Sequence, residues 1–236
     1  MPKTKGIPEE QFDRELTIFN NEVERGARFF SAYLTVSVAA SSSSVESLLN
    51  TAPRFWNTIR DALQITAIIA LGRVFDQKTD TYNLDRLLKI AQDNLNIFSK
   101  EALGRRKLKL GPKLTPLELE DYLRSAYEPT PEDFRRLRKC VKKWRTIYEN
   151  NYRNIRHKLF AHTEMLDRAE TNALLAKTNI GELQRLFSFL LSLHQALSQL
   201  FINGRKLDLS APAGRTVQDI ITQEAERFLL AAAGVT

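Results

Sequence analysis

One short segment concentrates side chains that do chemistry at neutral pH: Arg156-His157-Lys158-Leu159-Phe160-Ala161-His162. A histidine with an ordinary pKa near ~6.5 takes or gives a proton under physiological conditions. An arginine offers a rigid fork of N–H donors, which suits a phosphate gaining charge in a transition state. Spacing alone says little. With 21 Arg and three His in the chain, an Arg followed by a His at one of three allowed offsets arises on the order of once by chance. The residue types inside the segment carry the signal: a polar residue and a Lys after the Arg, then an apolar pair, then a small residue and the His.

The segment closes a long basic helix. Thr130-Pro131-Glu132-Asp133 supplies a capping residue, a proline and two acids in starting order. At ~100° per residue, Phe134, Leu137, Val141, Trp144, Tyr148, Ile155 and Leu159 share one face. Arg135, Arg136, Lys139, Lys142, Lys143 and Arg153 share the opposite one. The helix is expected to reach Phe160 or beyond. Its basic side reads either as a solvated face or as a track for phosphates. On the same wheel His157 lies with the basic residues, His162 toward the apolar side and Arg156 at the border. Arg156 and His162 are six apart, more than one turn. They can act together only if the helix ends or bends near Ala161, or if two chains pack with these helix ends facing.

The rest of the chain reads as helices. It has 236 residues, 43% hydrophobic and 27% charged, with only 9 Gly and 8 Pro to turn on. Helical periodicity starts at Pro8 and fades in Ala39 to Ser44, with a short turn near Val45 to Leu49. It resumes from Pro53 to Phe75, from the cap Asn83 through Ala91, from Thr115 or Pro116, over about Gly181 to Ile202, and over about Thr216 to Ala232. Residues 94–116 and 203–215 read as connectors and residues 1–7 as a flexible start. Arg105, Arg106, Lys107, Lys109 and Lys113 in the first connector read as a solvated loop or an RNA patch. No hairpin signal or internal repeat appears. The expected architecture is all-α, a single-domain helical bundle with long antiparallel helices.

Charge and composition narrow the partners. A net charge of +7 and a pI near 9.5 suit a polyanion. The lone Cys140 forms no internal disulfide and reads as a small buried residue on a helix. With three His and one Cys, no metal or cofactor site is expected. No run approaches the ~20 apolar residues of a membrane span, so the expected location is cytoplasmic with no membrane partner. His194, among Leu190, Leu191, Leu193 and Leu197, reads as packed. Asp76 pairs locally with Arg73, or holds Arg156 from a neighbouring helix.

The motif segment resembles the Arg-polar-x4-His signature of HEPN-superfamily domains. A second stretch is similar to their phage-abortive-infection branch: Ala52-Pro53-Arg54-Phe55-Trp56, then Ile68 to Asp76, then Asn83-Leu84-Asp85-Arg86-Leu87-Leu88. The resemblance implies a two-fold homodimer with paired motifs in an interfacial cleft. It also implies metal-independent RNA cleavage, with the 2′-hydroxyl attacking the adjacent phosphate. On that resemblance His162 is the general base or acid and Arg156 stabilises the phosphate. His157 fills the polar slot, to orient His162 or touch RNA. Arg153, Lys158, Lys142 and Lys143 are candidate phosphate contacts. A toxin or antiphage effector is implied, with room for a neutralising antitoxin or defence partner. HEPN toxins silenced by a nucleotidyltransferase often carry a Tyr two residues after the His; here Glu164 stands there, so the match does not support regulation by modification of that tyrosine. The alternative is a catalytically idle HEPN module that dimerises and binds RNA or a protein, with His162 merely capping a helix end.

Overall fold

Scarce glycine, evenly spaced large apolar residues and polar caps leave this chain little but helix to form. A computed structural model describes residues 8–78, 80–110, 115–161, 169–170, 174, 178–210 and 217–234. In chain order, α1 spans Pro8–Ala39, α2 Ser43–Thr51, α3 Pro53–Val74 and α4 Leu84–Asp93. A 3₁₀ turn at Leu95–Phe98 leads into α5, Lys100–Leu110; α6 is Pro116–Ser125 and α7 Pro131–Asn151. One helical turn at Arg153–Ile155 and a π-helical segment at Arg156–Ala161 follow, then α8, Ile180–Asn203, and α9, Val217–Ala232. The chain is all-α, and the described residues contain no strand.

Local chemistry accounts for the boundaries. Thr115 and Glu118 form a reciprocal capping box at the start of α6, with Thr115 N donating to the Glu118 carboxylate at 2.8 Å. At α4, Asn83 Oδ1 accepts from Arg86 N at 3.0 Å while its Nδ2 donates to the Lys78 carbonyl at 2.7 Å. That one buried side chain closes the loop and caps the helix. Asn83→Ala is expected to cost about 1–2 kcal/mol, read as a lower urea midpoint at unchanged slope.

Three expectations change. The turn at Val45–Leu49 is a full helix, Ser43–Thr51, because Val45, Leu49 and Trp56 pack with Val36, Leu229 and Leu230. In the expected connector 94–116, Leu95–Phe98 and Lys100–Leu110 are helical, and Lys100, Arg106 and Lys107 have internal partners. The long helix stops at Asn151.

Two compact units gather the contacts. The first takes Met1–Asn20, Phe75–Arg145 and Phe189–Pro212; the second takes Asn21–Val74, Thr146–Ser188 and Ala213–Thr236. In the first unit Phe12 is fully buried against Phe98 and Phe201, with ring centroids 5.2 and 5.0 Å away. Leu84, Leu87 and Leu88 of α4, Phe134 and Leu137 of α7, and Leu193, Leu197 and Leu200 of α8 complete this core. Each such side chain contributes about 1.5–3 kcal/mol of burial.

Ion pairs tie the same unit together. Arg86 Nε donates to the buried Glu15 at 2.6 Å, and Arg145 donates to Asp85 at 2.7 Å. Arg106 donates to Glu9 and to the Ile97 carbonyl, both at 2.8 Å, and lies 4.2 Å from the Phe201 ring centroid. Lys107 donates to Asn203 at 2.8 Å beside the Tyr122 ring. The chain turns after α8 at Gly204, whose φ of +59 favours glycine; a side chain there would also meet Leu103 and Ala126.

The second unit packs the C-terminal part of α1 on α3. Val23, Ala27 and Phe30 are buried, as are Ala67, Ile68, Ala70, Leu71 and Val74. Phe30 stacks on Phe187 of α8 with centroids 5.5 Å apart. Tyr148, Tyr152 and Ile155 are buried in this unit too. Among the described residues, no helix is long and apolar enough to cross a membrane.

Candidate functional site

The sequence asks α7 to carry its apolar face down to the motif, and it does so almost to the end. Phe134, Leu137, Val141 and Tyr148 are buried, while Arg135, Arg136, Lys139, Lys142 and Lys143 are exposed. Arg135 and Arg136 pair with Glu132 at 3.0 and 3.5 Å. Cys140 is half-buried on this helix, and burial pushes its thiol pKa up, which suits an inert residue.

Regular helix breaks at Tyr152, whose φ of −120° and ψ of −25° depart from helical values. Side-chain bonds gather at the break. The fully buried Tyr152 hydroxyl donates to the Asn179 carbonyl at 3.1 Å and accepts from Asn179 N at 3.3 Å. Next to it, Asn151 Nδ2 donates to Glu182 at 2.8 Å. Burial pushes the Tyr152 phenol pKa well up, so it stays a neutral donor. The same bonds hold the start of α8, where Asn179 Oδ1 caps Glu182 N at 3.0 Å. Tyr152→Phe is expected to cost about 1–2 kcal/mol, because the Asn179 N–H loses its acceptor; chemical denaturation checks it.

Beyond the break the motif does not continue as α-helix. Arg156–Ala161 is π-helical, with bonds reaching one residue further than in an α-helix. A wheel drawn at ~100° per residue therefore does not apply from Arg156 onward. The π-helical segment packs against α3. Arg156 is half-buried, and its side chain crosses α3 at Gly72. A methyl group at position 72 would sit 2.5 Å from Arg156 Nε and 2.9 Å from Cζ. His157 and Lys158 are half-buried, and Arg153 is exposed. His162 lies outside the described residues, as do Glu164 and Lys113. Arg153, Arg156, His157 and Lys158 belong to the second unit, and Lys142 and Lys143 to the first.

The carboxylates expected near the motif are used elsewhere. Arg73 pairs with Glu22 at 3.3 Å, not with Asp76. Asp76 closes its own loop, accepting from Gln77 N at 2.8 Å, Lys78 N at 3.3 Å and Thr81 Oγ1 at 3.4 Å. Among the described residues of its own unit, no carboxylate pairs with the Arg156 guanidinium. Nor do three His, Cys, Asp or Glu among the described residues cluster as a metal site. His194 is half-buried with its ring centroid 6.3 Å from that of Phe19.

The stretch Asn83–Leu88 proves to be scaffolding. Asn83 caps, Asp85 and Arg86 make ion pairs, and Leu84, Leu87 and Leu88 fill the core. Sequence reasoning missed Tyr152 and Gly72. Tyr152 stands four after Tyr148 and so extends the apolar face. Gly72 is a glycine inside a helical pattern, which costs about 1 kcal/mol against Ala and needs a reason.

A family model described as HEPN_AbiU2: AbiU2 matches residues 9–228. No curated protein and no solved structure matches the chain.

Proposed function

The chain belongs to the AbiU2 family of HEPN domains, an abortive-infection-related group, and from that premise we propose that it is a metal-independent endoribonuclease acting in antiphage defence. The observation that carries the reading is Arg156. A half-buried guanidinium with no carboxylate partner among the described residues of its unit is a cation kept for an anion that arrives.

In this reading the RNA 2′-hydroxyl attacks the adjacent phosphorus. The bond to the 5′-oxygen breaks, leaving a 2′,3′-cyclic phosphate and a 5′-hydroxyl. His162 takes the 2′ proton or delivers one to the departing oxygen. Arg156 donates to the phosphoryl oxygens as their charge grows. His157 orients His162 or touches RNA. Arg153, Lys158, Lys142 and Lys143 add salt-dependent phosphate contacts. Two copies of the chain bring two motifs to one cleft, in the cytoplasm, with a defence partner or antitoxin as the restraint.

The test uses the full chain and single-stranded RNA, with and without EDTA, beside the same RNA blocked as 2′-O-methyl. Cleavage to 2′,3′-cyclic ends, indifferent to EDTA and absent on the blocked RNA, is the expected result. Intact RNA in every tube sinks the proposal. Cleavage that EDTA abolishes sinks its metal-free mechanism.

A further inference from the structure

We infer that Gly72 is a positioning residue for Arg156: the missing side chain on α3 is the space in which the motif arginine lies. Gly72 sits two residues from the end of α3, among buried Ala70, Leu71 and Val74. A glycine there weakens the helix, and its φ is not left-handed, so backbone conformation does not require it. Packing does. A Cβ at position 72 would come within 2.5 Å of Nε and 2.9 Å of Cζ, the planar part of the guanidinium. These are separations that van der Waals contact forbids.

The neighbouring cations do not share this role. Arg73 is exposed and committed to Glu22 at 3.3 Å. The Arg156 stem and guanidinium therefore lie against α3 at Gly72. That placement restricts the rotamers of a long side chain before any phosphate binds, which lowers the ordering cost of the contact. Lys carries a compact ammonium with no fork of donors, so the same placement does not aim it at a phosphate in the same way.

The catalytic half of the inference rests on the ribonuclease reading; the packing half does not. Two measurements on the full chain separate them. In the first, melting temperatures are taken for wild type, Gly72→Ala, Arg156→Ala and the double variant. With Arg156 present, Gly72→Ala is expected to leave the midpoint within about 2 °C, because displacing the arginine offsets the gain in helix propensity. In the Arg156→Ala background the same change is expected to raise the midpoint by about 2–4 °C, since the crowding is gone and the helix gains propensity. The same shift in both backgrounds overturns the inference.

In the second, RNA cleavage is measured for Arg156 and Arg156→Lys, each with Gly72 and with Gly72→Ala. A displaced guanidinium is expected to lose about 100-fold in rate. The advantage of Arg over Lys should be large with Gly72 and should vanish once Gly72→Ala is introduced, a selectivity that general loss of structure would not produce. Gly72→Ala cleaving at the wild-type rate overturns the positioning role while the ribonuclease reading stands. If wild type leaves RNA intact, the ribonuclease reading falls, and the melting cycle alone decides the placement: a larger gain without Arg156 upholds it and equal shifts overturn it.

Discussion

His162→Ala is expected to slow RNA cleavage about 10²- to 10⁴-fold, the range that a positioned proton-transfer group contributes. Arg156→Ala is expected to cost about 10²- to 10³-fold, as for removal of one donor to a developing oxyanion. The double variant should be little worse than the poorer single one, because the two residues act on one transition state. Circular dichroism of each variant separates lost chemistry from lost fold. Expression in a bacterial host gives the same comparison at larger scale: wild type should arrest growth and degrade RNA, and both variants should grow. Equal growth with intact RNA for all three leaves the idle, binding-only module as the better account of the chain.

Arg86→Leu should be among the most damaging changes away from the motif, with an expected loss of about 3–5 kcal/mol. The Glu15 side chain is 1% exposed, and Arg86 Nε donates to it at 2.6 Å. Removing the arginine leaves a buried carboxylate with neither water nor counter-charge. Tyr82 also loses the guanidinium that lies 5.3 Å from its ring centroid. The double variant Glu15→Leu/Arg86→Leu should recover most of the loss, because two apolar groups replace a charge pair. Urea denaturation of the two variants checks the argument. If the double variant is as unstable as the single one, Arg86 matters through its packed stem rather than through its charge.

Much of the fold was legible because helices write their own boundaries. Asn83, Thr115 and Pro131 start helices where their cap chemistry says they should. The α7 face from Phe134 to Tyr148 is buried as its spacing requires. The misreadings have one physical origin. Arg105, Arg106 and Lys107 looked like solvated charge beside glycine and proline. Glu9 and Asn203, distant in sequence, turn Arg106 and Lys107 inward and hold a helix there. A charged residue's partner is chosen by tertiary contact, and local pattern carries no record of it.

The motif shows the same division. By itself the sequence determined an all-α chain, an amphipathic basic helix and the order of residue types from Arg156 to His162, because side-chain period and capping act over a few neighbours. Only the tertiary structure decided what meets the chain where the helix breaks at Tyr152, since the Asn179 backbone that bonds its hydroxyl lies 27 residues away. Only it showed that the motif opens in a π-helical turn and that Arg156 lies across Gly72. The Arg156 placement depends on how closely α3 approaches the motif, and that distance is set by packing rather than by the residues on either helix alone.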